Sequence, residues 1–177
     1  MPNVELSAAL DERIKSHARP LVDTYESVIS RAFDAFELTL GSGANAIRPF
    51  NPAKAPSLTF SKPISITLNE VEFAKADLYW NNLMYAVVRE AGKKGLNPEQ
   101  IKELMVVNSE MGEKSINGYA FIPEAGLSIQ GQSANGAWKQ TYAIANELGF
   151  ALDVIWAWDD TEKASLPSQK GSFKLPA

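Results

Sequence analysis

The sequence predicts an α+β protein in two parts, a strand-helix-helix module over residues 1–40 and a mixed β-sheet domain with three helices over 64–158. Three observations carry that prediction. The apolar period changes from 2 to 3.6 close to the start of the chain. A stretch rich in proline and glycine interrupts it over 41–63, and short alternating runs then interleave with helical stripes.

Val4-Glu5-Leu6-Ser7 alternates apolar and polar residues and is short enough for one strand. Leu10, Ile14 and Ala18 then fall on one stripe of a helix that ends near Pro20. Asp23 and Glu26 have the spacing of a capping box, and Ile29, Ala32, Phe33, Phe36 and Leu40 form the apolar stripe of a second helix closed by Gly41. From there Gly41-Ser42-Gly43-Ala44-Asn45 precedes Pro49, Pro52, Pro56 and Pro63 with almost no apolar period. Residues 41–63 therefore read as a linker, flexible at its glycine end and stiffer at its proline end.

In the second domain Ile64, Ile66 and Leu68 keep a strand period that Val71 and Phe73 resume out of phase, placing a turn or bulge at Asn69-Glu70. Trp80, Leu83, Met84, Val87 and Ala91 make the stripe of a helix over about 77–90, ended by Gly92 and Gly95. Asn97-Pro98-Glu99-Gln100 starts another, with a capping asparagine, proline at the first helical position and a back-reaching glutamine; Ile101, Leu104 and Met105 form its core face. The strands 119–122 and 127–130 flank Pro123-Glu124-Ala125-Gly126, a hairpin turn. A third helix runs from Ser133 to Leu148, is closed by Gly149 and leads into a strand over 151–158. One sheet of four or five strands is expected, with helices mainly on one face and a β-α-β crossover if 127–130 and 151–158 are parallel neighbours. Residues 159–177, with Lys163, Lys170, Lys174, Pro167, Gly171 and Pro176, read as a flexible tail.

Composition narrows the function classes. With no cysteine in 177 residues, disulfides, zinc fingers, iron–sulfur clusters and thiol nucleophiles are excluded. The N-terminus lacks the basic start and apolar run of a signal peptide, and no stretch approaches the roughly 18 apolar residues of a membrane span, so a cytoplasmic protein without a membrane partner is expected. The formal net charge of −4 supplies no broad basic surface to attract nucleic acid.

A strand and two helices are too small to bury their own apolar faces, because units below about 40 residues need a metal, a disulfide or a partner. Dimerisation is the economical answer. The pattern Val4-x-Leu6-x-x-x-Leu10-Asp-Glu-Arg-Ile14-x-x-x-Ala18, followed after a turn by Glu26-Ser-Val-Ile29-Ser-Arg-Ala32-Phe33, resembles the Arc/MetJ-type ribbon-helix-helix family over residues 3–40. Members of that family are dimers that insert a two-stranded ribbon into the DNA major groove. The resemblance implies that Asn3, Glu5 and Ser7 read bases and that the amides around Asp23 and Thr24 hold a phosphate. Glu5 departs from the family, where basic or amide side chains are usual; a carboxylate there can accept from cytosine N4 but forfeits attraction to phosphates. Residues 1–40 also carry seven acids (Glu5, Asp11, Glu12, Asp23, Glu26, Asp34, Glu37) against four bases (Arg13, Lys15, Arg19, Arg31).

Few constellations suggest chemistry. His17 is the sole histidine and lies on the first helix, which disfavours a catalytic triad or a histidine-ligated metal. Glu110, Glu113 and Lys114 have the residue types of a metal-dependent phosphodiesterase without an established spacing, and a solvated loop with local ion pairs is the preferred reading. Gly126-x4-Gly131-x4-Gly136 frames an amide-rich turn before a helix, and Gln130, Gln132, Ser133, Asn135 and Trp138 there are candidate ligand-binding residues; capping by Ser133 is the alternative. Trp80, Trp138, Trp156 and Trp158 all fall in the second domain, as core and as candidate lining of a pocket or interface with Tyr79, Tyr119 and Tyr142.

The leading expectation is a homodimeric, DNA-associated regulator of bacterial type, whose second domain binds a ligand or partner. A dimeric protein-interaction module that does not touch DNA is the alternative, and a metal-dependent phosphodiesterase using Glu110 and Glu113 comes third. No cofactor, metal site or catalytic residue is assigned.

Overall fold

Residues 7–18, 23–40 and 46–176 are described by the computed structural model, with 35–40 as backbone alone. They fall into two units, Met1–Ala46 and Ile47–Ala177.

In the first unit Ser7 is extended, and its hydroxyl accepts from the Leu10 amide at 3.4 Å, capping α1 (Ala8–His17). The expected strand over 4–7 otherwise lies outside the described residues. Helix α2 spans Tyr25–Leu40. Its cap is displaced by one residue from the sequence expectation. Ser27 N donates to Thr24 Oγ1 at 3.2 Å while Thr24 N donates to Ser27 Oγ at 3.0 Å, so a Thr-Ser pair performs the exchange expected of Asp23 and Glu26. Asp23 is diverted by Arg31, which pairs with it at 2.9 Å. Ile14 and Val28 are buried, whereas Leu10, Tyr25 and Phe33 are exposed at 42%, 46% and 61%.

The second unit contains two sheets rather than one. The larger has the order β1-β8-β7-β2-β3, from β1 (Ile47–Pro49), β2 (Ser61–Leu68), β3 (Val71–Glu72), β7 (Leu152–Trp158) and β8 (Lys170–Leu175). Its pairs are antiparallel except β1 with β8. The smaller is antiparallel with the order β4-β6-β5, from β4 (Ser109–Met111), β5 (Tyr119–Ile122) and β6 (Leu127–Gln130).

Two stretches expected to be irregular are therefore part of the larger sheet. The described part of 41–63 supplies β1, a 3-10 turn at Pro52–Lys54 and the start of β2. Its prolines do not prevent this, because β1 is an edge strand and can end in Pro49 without breaking a central ladder. Within 159–177, β8 alternates Gly171 and Phe173 inward with Lys170, Ser172 and Lys174, a period hidden in the sequence by a glycine among lysines. Gly171 is required by packing: a Cβ there would meet the Trp156 indole at 2.3 Å. The predicted β-α-β crossover is absent because β6 and β7 belong to different sheets.

Local signals translate directly into structure. Asn69 and Glu70 turn β2 into β3 with φ of +47° and +68°, and Pro123–Ala125 with a left-handed Gly126 makes the turn from β5 to β6. Helix α3 spans Trp80–Lys93; α4 (Pro98–Glu103) carries the Asn97/Gln100 capping box; α5 (Ala134–Leu148) is capped by Ser133 and closed by left-handed Gly149. The first and last turns of α3 and α5 are tied in register. Asn81 on the first turn of α3 bonds the Gln132 backbone just before α5, and Lys94 Nζ reaches the Leu148 carbonyl at 2.6 Å at the other end. The two helices thus run side by side in the same direction.

One apolar core joins both sheets and these helices, from Leu83, Met84 and Val87 on α3 through Ile144 on α5 to Leu127, Ile129, Val154 and Phe173 on the strands. Buried polar groups are spent inside it. The carboxamide of Gln140, fully buried on α5, accepts from Val106 N and Val107 N at 2.6 and 3.2 Å and donates to Leu104 O at 3.1 Å, fixing the connection from α4 to β4.

Candidate functional site

The segment between β1 and β2, residues 50–60, lies over the aromatic side chains of the larger sheet as a strap. Indole groups hold it there. Trp138 Nε1 donates to Pro52 O at 3.1 Å, Trp158 Nε1 to Ser57 O at 2.9 Å, and Trp80 Nε1 to Ser61 O and Oγ, both at 3.2 Å. Asn135 on the first turn of α5 adds two bonds, accepting from Leu58 N at 2.7 Å and donating to Thr59 Oγ1 at 3.0 Å. Leu58 is fully buried between them. Phe50 packs on Trp156 and Trp158 with ring centroids 5.7 and 5.8 Å away, and Arg48 stands over Phe50 at 5.1 Å.

The strap ends beside the start of α5, where the candidate ligand residues lie. Ser133 Oγ accepts from Gly136 N at 3.3 Å, the ordinary work of a cap. Gln130 accepts from Asn108 at 2.8 Å and donates to Asn117 O, while Gln132 Nε2 donates to Gln130 O and its amide donates to Asn81. The structure thus brings Gln130 and Gln132 into one amide ladder and Asn135 with Trp138 into the strap attachment. Tyr85 borders this ladder, its hydroxyl 3.5 Å from the position of a Cβ on Gly131, and burial pushes its pKa up. The aligned N-termini of α3 and α5 add positive potential at this corner. Sequence reasoning singled out Trp138 and Asn135 but not Ser57, Leu58 or Phe50, whose signal was masked by the prolines around them.

Among the four indoles, Trp156 differs. It is fully buried, and its Nε1 has no hydrogen-bond partner. Phe173 lies 4.2 Å from its ring, Trp158 5.5 Å and Trp80 6.0 Å.

The other sequence candidates sit elsewhere. Asn3 and Glu5 lie outside the described residues. Ser7 caps α1, Thr24 caps α2 and Asp23 is bound by Arg31, whose guanidinium also donates to His17 O at 3.1 Å. Tyr25 donates to Asp11 at 2.6 Å and Lys15 pairs with the same carboxylate at 2.7 Å. Lys15 first, then Tyr25, holds the Asp11 carboxyl below the usual aspartate range; Asp11 in turn pushes both partners up. Glu110 pairs with Lys114 at 3.2 Å, and Lys114 stands 4.0 Å over Tyr119. No group of three histidine, aspartate or glutamate side chains placed to hold a metal occurs among the described residues. No helix among them is long and apolar enough to cross a membrane.

Compared with known proteins, the chain matches no family model, no curated protein and no solved structure.

Proposed function

We propose that this chain is a homodimeric binding protein, paired through its N-terminal helices and holding a ligand or protein partner on its α+β unit. One observation carries the pairing: Leu10, Tyr25 and Phe33 are exposed, while Ile14 and Val28 are the buried apolar side chains described in that unit. Among the described residues the two helices share little core, and a second copy would cover the exposed side chains. The test is sedimentation equilibrium of the full chain. Twice the chain mass is expected, and Phe33→Asp should weaken association at least tenfold, since burying a phenyl group is worth about 2 kcal/mol. A single-chain mass at high concentration overturns the reading.

Duplex DNA as the dimer's target is the second reading, favoured by the Val4-to-Phe33 pattern. It assigns base contacts to Asn3, Glu5 and Ser7 and a phosphate to the helix start at Asp23 and Thr24. Fluorescence anisotropy with labelled duplexes tests it: saturable binding that weakens steeply with salt supports it, and no binding at low salt removes it. Glu5→Lys should raise non-specific affinity if that side chain faces phosphates.

A further inference from the structure

We propose that the aromatic box beneath the strap is a closed binding site for a flat aromatic molecule carrying a carbonyl, with Trp156 Nε1 as its hydrogen-bond donor and the strap as its cover. The inference rests on the α+β unit being a ligand-binding unit and names its site and ligand class.

Two independent features meet here. The first is the unpartnered donor. Trp138 and Trp158 give their N–H to strap carbonyls and Trp80 gives its N–H to Ser61 at the start of β2, yet Trp156, fully buried among Phe50, Trp80, Trp158 and Phe173, gives its N–H to nothing. A desolvated donor without an acceptor opposes folding, and native cores rarely keep one without a use. An acceptor brought by a ligand would relieve it.

The second feature is how the cover is attached. Between its ends the strap is held by discrete bonds from Trp138, Trp158 and Asn135 and by the Leu58 side chain, while its ends are tied by backbone bonds, Phe50 N donating to Ser172 O at 2.9 Å and Asp159 N donating to Phe60 O at 2.8 Å. It ends at Phe60, a bulky residue in the left-handed region at φ +57° with 44% of its surface exposed. A non-glycine residue held there is strained, and strain of this kind gathers at segments that move. Lifting the strap from residue 51 onward opens space into which the Phe50 ring, its backbone still held by Ser172 O, turns away from Trp156 and Trp158. A ligand ring of similar size fills the space Phe50 leaves, its carbonyl meets Trp156 Nε1, and Arg48, which now stands over Phe50, covers its outer side. The ring supplies apolar burial and the carbonyl supplies selectivity, since a site with a buried donor discriminates against analogues that lack the acceptor.

The experiment is an NMR titration of the 15N-labelled full chain, following the four indole N–H signals with acetophenone and, separately, with ethylbenzene, which has nearly the same shape and no acceptor. Acetophenone should move the Trp156 signal downfield and saturate, with an apparent Kd at least tenfold below that of ethylbenzene. Trp156→Phe should abolish that tenfold preference. Asn135→Ala, which loosens the strap without touching the box, should raise the acetophenone association rate several-fold and serves if Trp156→Phe does not fold. A Trp156 signal unmoved by acetophenone, equal affinity for the two probes, or an association rate unchanged in Asn135→Ala would each overturn the proposal. A null titration leaves the sedimentation result standing, so failure here is distinct from failure of the dimer reading.

Discussion

The two units of this chain treat polar groups in opposite ways. In the N-terminal helices most described side-chain bonds join near neighbours, as Ser7 to Leu10, Thr24 to Ser27 and Lys15 to Asp11, and longer links run from Tyr25 to Asp11 and from Arg31 to Asp23 and His17 O. In the α+β unit they link residues far apart in sequence, as Asn135 does to Leu58, Asn81 to Gln132 and Gln140 to the 104–107 connection. The first kind specifies a helix end; the second specifies a fold. The difference teaches that the described bonds of the helical unit chiefly set its local shape, whereas the α+β unit encloses a core and spends buried amides to define it.

Removing a polar side chain from each unit sharpens that contrast. The largest effect is expected for Gln140→Ala, which leaves the amides of Val106 and Val107 and the carbonyl of Leu104 without their buried partner. Urea denaturation should show a loss of about 3 kcal/mol, given roughly 1–3 kcal/mol for each group left unpaired and partial relief by water. Ser7→Ala removes one exposed cap and should cost about 1 kcal/mol in the helical unit alone, read as lost helicity at an unchanged midpoint for the α+β unit. Equal effects of the two substitutions would break the comparison.

The smallest effect concerns pH. The Asp11 carboxyl is held below its ordinary value by Lys15 and Tyr25, so its contribution is present above about pH 4, the ordinary aspartate range, and is lost as pH falls through the lower value it has in the folded unit. Exposure and salt screening keep it small. Helicity of α1 should fall on acidification below pH 4, more at low than at high ionic strength, and Asp11→Asn should remove the dependence.

What could be read from the sequence divides along the same line. The Asn97/Gln100 capping box, the Pro123-to-Gly126 turn and the Ser133 and Gly149 ends of α5 are all written within a few neighbouring residues, and all were legible. Strands β1, β4 and β8 were missed because each exists through its partners: Ile47 opposite Lys170, Ser109 opposite Ile129, Phe173 opposite Val154. The candidate site shows the same split. Gln130, Gln132, Ser133, Asn135 and Trp138 stood out as an amide-rich turn before a helix, but their assignments to capping, ladder and strap depend on Asn81, Asn108, Leu58 and Pro52. The unpartnered indole of Trp156 left no trace in the sequence at all.

The two outer strands of the larger sheet are also its shortest, three residues in β1 and two in β3. Proline at the end of one and Glu72 in the other leave few free backbone groups in a row for a foreign strand to join. Edge-to-edge polymerisation is thereby discouraged, so a concentrated preparation should resist forming fibrils even though nearly half of the chain, 45%, is hydrophobic.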